Sequence, residues 1–272
     1  MKPNPRSLIL NLLLATEGDP LSARDAISSC ALFGIRENSV RVTLVRLASA
    51  GLIEAAGRGA YRLGPNATGL AAEVATWRTA EQQVCAWNGD WIVVPVGALG
   101  RSDRVALRAR DRALALLGLR ELERGLFVRP DNLLGGVTAV RERLYKLGLE
   151  QDAAVFVARD LDAGREQRAR TLWDGEQLSR RYCDMRARLE EWLAHAGELE
   201  PDVAARESFL LGNEAIRQLV FDPLLPAPLV DTEARRTFTE TVHRFDRAGH
   251  VIWQQLRLLT TSSKPAAHLT TH

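Results

Sequence analysis

Hydrophobic residues recur every three or four positions along the first fifty residues, and this is the spacing of helices that bury one face. Residues 52–63 then alternate around two glycines, as the strands of a β-hairpin do. Gly34 predicts the turn before a third helix, and Gly51 predicts the end of that helix. The pattern therefore predicts three helices and a hairpin, at Ser7 to Ala15, from Ser22 onward, at Glu37 to Ala50 and at Leu52 to Leu63.

The third predicted helix has two unlike faces. Val40, Leu44 and Leu47 share one side and are expected to pack on the first two helices. The other side carries hydrogen-bond donors that suit base edges in a major groove, and an apolar residue that suits a thymine methyl group. These candidate DNA-binding residues are Asn38, Ser39, Arg41, Val42 and Arg46. Asn38 or Ser39 is also expected to cap the helix and to leave backbone N–H groups for a phosphate.

The predicted hairpin adds a second candidate contact with nucleic acid. Its tip, Gly57-Arg58-Gly59, turns tightly and directs Arg58 outward, and Tyr61 follows on the returning strand. Three helices and a hairpin in this order predict a winged helix-turn-helix that binds operator DNA. Residues 1–64 hold eight basic and five acidic side chains, a modest surplus, so a winged-helix module for protein contacts is the competing interpretation.

Composition changes this picture little. A chain of 272 residues has room for two or three domains, and a net charge of +2 is too small for indiscriminate coating of nucleic acid. Cys30, Cys85 and Cys183 are odd in number and widely spaced, which favours a reducing cytoplasm over a disulfide framework. No apolar run of the sequence is long enough to span a membrane. We therefore expect a cytoplasmic protein with no membrane partner.

The pattern changes after the hairpin, where strand, helix, strand, helix and strand alternate and predict a ferredoxin-like α+β domain. The predicted strands are Trp91 to Val96, Gly125 to Arg129 and Ala153 to Ala158, and the helices are Arg101 to Leu117 and Val137 to Leu147. Beyond Gly164 the signals are helical, over 174–196, 202–220 and 232–259. The predicted division is a winged helix-turn-helix at 1–65, a linker helix at 66–86, a ferredoxin-like middle domain at 87–163, a helical C-terminal domain at 164–259 and a disordered tail at 260–272.

Three stretches together resemble the PaaX-type transcriptional regulators of phenylacetate and related aromatic catabolism. They are Ile35 to Gly51 with the hairpin after it, Trp87 to Trp91 with Gly125 to Leu133, and Asp222-Pro-Leu-Leu-Pro226. The resemblance implies a homodimeric repressor that a small effector, an aryl-CoA thioester in the best-known members, releases from operator DNA. After Pro226 the chain departs from that family, because Ala-Pro-Leu-Val-Asp-Thr stands where a Trp-containing continuation is expected. The departure leaves the identity of the effector open.

An effector of this kind needs groups that hold an anion and a flat ring. The candidate effector-binding residues are Trp87, Trp91, Arg101, Arg104 and Arg108. The competing interpretation is that the tryptophans belong to a core and that the arginines form a solvated helix face.

Two other functions compete with the repressor. The first is a metal-dependent nuclease built on the middle domain, but the strand Val93 to Val96 carries no carboxylate and Asp103 follows well past its end. The second is a ligand-independent co-regulator that acts through protein contacts. The sequence predicts no cofactor, no metal site and no catalytic residues.

Overall fold

The computed structural model describes residues 3–16, 18–67, 72, 75–100 and 102–262. It is a mixed α+β protein with two small antiparallel sheets. The chain forms two compact units, one of Met1–Thr76, Trp192–Asn213 and Arg244–His272, and one of Trp77–Glu191 and Glu214–His243. These two units divide the helical region at other residues than the predicted domains do. The predicted domain bounds stay a prediction. Most of the predicted tail, from residue 263 onward, lies outside the described residues.

The first unit begins with three helices and a small sheet. The helices are α1 (Pro5–Ala15), α2 (Ala23–Ala31) and α3 (Glu37–Ser49), and the strands are β1 (Leu21–Ser22), β2 (Ile53–Ala55) and β3 (Ala60–Leu63). The side chain of Asn4 caps α1, and the side chain of Ser22 accepts the Asp25 N–H at the start of α2. The strands lie in the order β1-β3-β2. The predicted helices and hairpin are confirmed to within two residues at every end for which a bound was predicted.

The second unit contains a four-stranded sheet with its helices. In chain order it holds a 3-10 helix (Thr76–Gln83), β4 (Trp91–Pro95), α4 (Arg104–Leu116), β5 (Arg120–Glu123), β6 (Leu126–Pro130), α5 (Gly136–Leu147), β7 (Phe156–Ala158) and α6 (Ala163–Arg170). The strand order is β5-β6-β4-β7, and every neighbouring pair is antiparallel. Three long helices follow and contribute residues to both units, α7 (Gly175–His195), α8 (Pro201–Val220) and α9 (Thr232–Ser262).

Several elements of the second unit differ from the predictions, since α6 was not predicted and β7 begins three residues after Ala153. Strand β5 was not predicted because its sequence, Arg-Glu-Leu-Glu, is mostly charged, as suits an edge strand. The predicted linker helix at 66–86 is wrong in its described C-terminal part, which is a 3-10 helix that ends at Gln83. After Gln83 the backbone forms a hydrogen bond with a distant segment, since the Cys85 N–H donates to the Asn132 carbonyl oxygen at 2.9 Å.

The core of the first unit extends beyond α1, α2 and α3. Phe33, after α2, packs edge-on against Phe209 of α8 with ring centroids 5.4 Å apart, and Phe209 in turn meets Trp253 of α9 at 6.2 Å. The Asn11 amide donates to the Asn213 side-chain oxygen at 3.0 Å. Helices α8 and α9 therefore complete the hydrophobic core on which α3 lies.

A buried arginine joins several elements of the second unit. The Arg129 guanidinium donates to the carbonyl oxygen of Leu117, where α4 ends, and to Asn132 Oδ1 at 3.1 Å. The Asn132 amide donates to the Leu224 carbonyl oxygen at 2.7 Å, inside the Asp222 to Pro226 segment. Burial lowers the pKa of Arg129 to about 10. Backbone and amide oxygens thus solvate this cation, and Asn132 supplies one of them.

We expect Asn132→Ala to lower the free energy of unfolding by about 1–3 kcal/mol, because it leaves a buried guanidinium N–H and the Leu224 carbonyl oxygen without partners. Urea denaturation followed by circular dichroism measures the change. The matched control is Gln167→Ala at an exposed position of α6, where the change should stay within about 0.5 kcal/mol. Equal midpoints for the two variants would contradict the assignment.

Candidate nucleic-acid interface

Helix α3 buries one side completely. Val40, Leu44 and Leu47 are at most 3% exposed and pack among the apolar residues of α1 and α2. A helix turns by about 100° per residue, so the side opposite this stripe is centred on Asn38, Val42, Val45 and Ser49. We call these four residues the outer row of α3, and all four are exposed.

The outer row includes two residues that the sequence analysis did not name, Val45 and Ser49. Val45 is 64% exposed, against 41% for Val42 three residues earlier. Its place one turn after Val42 is the signal that would have put it on the outer side. Arg46 and Ser39, both exposed, flank the outer row. All five predicted helix residues therefore lie on or beside the outer row, since Arg41 flanks it as well.

Arg41 also lies beside the outer row, about 40° around the helix from Val45, but its side chain already has a partner. Its guanidinium pairs with the Glu37 carboxylate one turn earlier, at 2.6 Å between Nη2 and Oε1. Both side chains are more than half exposed, so the pair is worth only about 0.3–0.5 kcal/mol. Arg46, by contrast, has no ion-pair partner among the residues that the structure describes. Arg46 is thus the cation most readily available from this helix.

The start of α3 does not have the predicted cap. The N-cap residue is Arg36, with extended backbone angles and no side-chain hydrogen bond to the first turn. Ser39 lies inside the helix, where its carbonyl oxygen accepts the Thr43 hydroxyl at 2.6 Å. Capping by Asn38 or Ser39 was therefore wrong, because the helix begins one to two residues before either side chain.

The turn between β2 and β3 presents one arginine to solvent. Gly57 and Gly59 have φ angles of 106° and 71°, which side-chain-bearing residues rarely adopt. Arg58 between them is exposed and, like Arg46, has no ion-pair partner in the described part of the chain. Arg62 pairs with Glu54 across the strands at 2.7 Å. Arg58 is therefore the free cation of this turn.

Tyr61 has a structural contact as well as its predicted role. It is half-buried and packs against the core that α1, α2 and α3 share. Tyr61 also pairs with Leu21 of β1 and Ala55 of β2, so it lies in the middle of the small sheet. Its ring supports the hairpin, and its contact with DNA stays a prediction.

The candidate effector residues form an aromatic cluster and a separate arginine face. Trp87 and Trp91 lie edge to face with ring centroids 5.1 Å apart, and Trp91 stacks on Trp173 at 6.2 Å. Both indole N–H groups have partners, since Trp87 donates to the Asp90 carbonyl oxygen and Trp91 to Glu166 Oε2. The Arg170 guanidinium lies 4.9 Å above the Trp87 ring. The arginine next to the cluster is thus Arg170, which the sequence analysis missed.

The arginines of α4 do not join this cluster. Ile92 and Val94 of β4 face the core with Ala113 and Leu114 of α4, so Trp91 points to the other side of the sheet. Arg104 and Arg108 are exposed on α4, and Arg101 lies outside the described residues. The expectation that Trp91, Arg104 and Arg108 form one site was therefore wrong, because strand alternation separates them. Arg110 of the same helix is buried and pairs with Glu150.

The structure also bears on the nuclease alternative. Asp103, the carboxylate that follows β4, caps α4, since its Oδ1 accepts the N–H groups of Val105 and Ala106 at 2.8 and 3.2 Å. Its hydrogen bonds are those of a helix cap.

None of the helices that the structure describes is long and apolar enough to cross a membrane.

Family models match two segments of the chain, one near its N-terminus and one near its C-terminus. The family model described as PaaX-like protein matches residues 4–67, and the model described as PaaX-like protein C-terminal domain matches residues 173–255. No curated protein matches the sequence. Among solved structures, the uncharacterized protein Rv0674 from Mycobacterium tuberculosis is similar in fold, with a TM-score of 0.62 and 24% identity, over 93% of this chain and 99% of that one.

The two family matches together cover more than half of the chain and lie in the order that the sequence analysis expected. The first match contains α1, α2, α3 and the hairpin, and the second contains α7, α8 and most of α9. The chain therefore belongs to the PaaX-like family of transcriptional regulators.

Proposed function

We propose that this chain is a sequence-specific DNA-binding repressor of a catabolic pathway for aromatic or acyl-CoA compounds, and that it acts in the cytoplasm as a homodimer. Residues 4–67 would serve as a winged helix-turn-helix that reads operator DNA. The βαββαβ order from β4 to β7 supports a ferredoxin-like middle domain. The observation that carries the proposal is the exposed outer row of α3, flanked by Arg46, on a helix whose opposite side is held in a core.

The arrangement suits the major groove for a simple physical reason. Base edges are read by side chains that stand out from a rigidly held helix, while the phosphates attract cations at its margins. Asn38, Arg46 and the two valines of the outer row offer amide, guanidinium and apolar groups, and Arg58 offers a charge to the backbone. One such module spans a half-site, so a homodimer would read an inverted repeat.

We expect Arg46→Ala and Arg58→Ala to weaken DNA binding in different ways. The probe is a duplex that the full chain enriches from a random library, and the enriched sequences are expected to be inverted repeats. Arg46→Ala should cost about 1–3 kcal/mol on this duplex and relax the preference at one base pair. Arg58→Ala should weaken all duplexes alike and reduce the slope of log affinity against log salt by about one. Fluorescence anisotropy at several salt concentrations measures both.

Two matched arginine variants control this experiment. Arg62→Ala changes the hairpin beside Arg58 but removes a cation already paired with Glu54, and Arg180→Ala changes a paired arginine of α7. Arg180→Ala should leave the affinity unchanged, and Arg62→Ala should have a smaller effect than Arg58→Ala. Full affinity in both Arg46→Ala and Arg58→Ala would overturn the proposed interface.

We also propose that an aryl-CoA thioester or related aromatic metabolite releases the repressor from DNA. The half-buried indole of Trp87 and the guanidinium of Arg170, which also pairs with Glu166 at 2.6 Å, offer a ring and a cation next to each other. An anionic ligand with a flat ring would suit both groups. Release requires that the ligand bind the DNA-free conformation more tightly, because equal binding to both shifts no equilibrium.

A panel of aryl-CoA thioesters that includes phenylacetyl-CoA tests this part of the proposal. An effector present at one hundred times its Kd should raise the free energy of unfolding by about 2.7 kcal/mol and raise Tm accordingly. Arg170→Ala should weaken the response several-fold, whereas the double variant of Arg104→Ala and Arg108→Ala on the other side of the sheet should keep it. The opposite result, or no thioester that shifts Tm or lowers DNA affinity, would contradict the assignment.

A further inference from the structure

The outer row of α3 contains an unusual pair of side chains. Val42 and Val45 are 41% and 64% exposed and lie one turn apart. Valine is a weaker helix former than alanine, leucine or the long polar residues, because its branched Cβ restricts the rotamers open to it in a helix. Neither valine contributes to the core that Val40, Leu44 and Leu47 complete. Folding therefore gains little from these two side chains.

The surroundings of the pair indicate what covers it. Arg46 lies one turn after Val42 on the same helix, and Arg58 stands at the tip of the neighbouring hairpin. Both arginines lack ion-pair partners among the described residues. The apolar pair therefore has one available cation on the same helix and another on the hairpin that follows that helix. A protein partner with an apolar patch has no need of these cations, whereas DNA places phosphates on either side of a groove that contains apolar groups.

The apolar groups that a major groove presents are the C5-methyl groups of thymine. We propose, on the basis of the proposed DNA-binding function, that Val42 and Val45 contact thymine methyl groups and make the half-site depend on thymines at two positions. Asn38, one turn before Val42, suits the adenine of an adjacent A·T pair, since its amide can donate to N7 and accept from N6. The centre of α3 thus favours A·T pairs, and Arg46 at its margin favours a guanine.

Deoxyuridine substitution tests the proposal, because it removes the methyl group and leaves the hydrogen-bonding edge of the base unchanged. Each thymine of the library-selected duplex is replaced in turn, and the affinity of the full chain is measured. We expect uracil at two positions in each half-site to weaken binding roughly fourfold. One buried methyl group is worth ~0.8 kcal/mol, and about 1.4 kcal/mol corresponds to a tenfold change in affinity.

Valine variants assign the two positions. In Val45→Ala, uracil at one of the two positions should change the DNA affinity only about onefold. In Val42→Ala, uracil at the other position should have as little effect, because the methyl contact is already absent. Val105→Ala, which changes the 76% exposed valine of α4, is the matched control and should leave both losses unchanged. A double-mutant cycle of this kind separates a direct contact from any effect of uracil on DNA shape.

The outcomes distinguish this inference from the function on which it rests. Failure of the chain to enrich any duplex would overturn the proposed function and the thymine contact with it. Enrichment followed by a scan in which no uracil weakens binding would overturn the thymine contact alone. Losses that persist unchanged in Val42→Ala and Val45→Ala would also overturn it.

Discussion

The burial of Val40, Leu44 and Leu47 is the constraint on which the candidate interface depends. These three side chains are held by α1 and α2, and their burial decides which other residues of α3 face outward. Fully burying a side chain of this size is worth about 1.5–3 kcal/mol, so rotating the helix about its axis would be costly. The outer row is thus a consequence of core packing, and its chemistry is what remains available for recognition.

The same core connects α3 with distant parts of the chain. Phe209 of α8 and Trp253 of α9 extend the aromatic contacts of Phe33, and His250 Nε2 lies 3.2 Å from the carbonyl oxygen of Ala15 at the end of α1. A shift of either long helix would therefore change the packing beneath α1 and α2. Such contacts would let a change in α8 or α9 reach the surface that we propose binds DNA.

Local patterns predicted the secondary structure better than the groupings of side chains. The 3.6-residue period of apolar positions is a backbone property, so the bounds of α1, α2 and α3 followed from it. Charged β5 carried no such signal, because an edge strand needs little apolar surface.

The candidate site residues show the same difference between local patterns and groupings of distant side chains. The pairing of Arg41 with Glu37 was visible in the sequence as an acid four residues before a base, and the separation of Trp91 from α4 followed from strand alternation. The stacking of Trp91 on Trp173 and the placement of Arg170 over Trp87 join residues about eighty positions apart. Such contacts depend on tertiary packing, for which a single sequence has no local signal.

A crystal structure of the full chain bound to a library-selected duplex would show directly whether α3 reads DNA. We expect the outer row of α3 to lie in the major groove with Arg46 at a base edge, and Arg58 to contact the sugar–phosphate backbone. A complex in which α3 faces solvent and another surface of the protein holds the duplex would contradict this expectation.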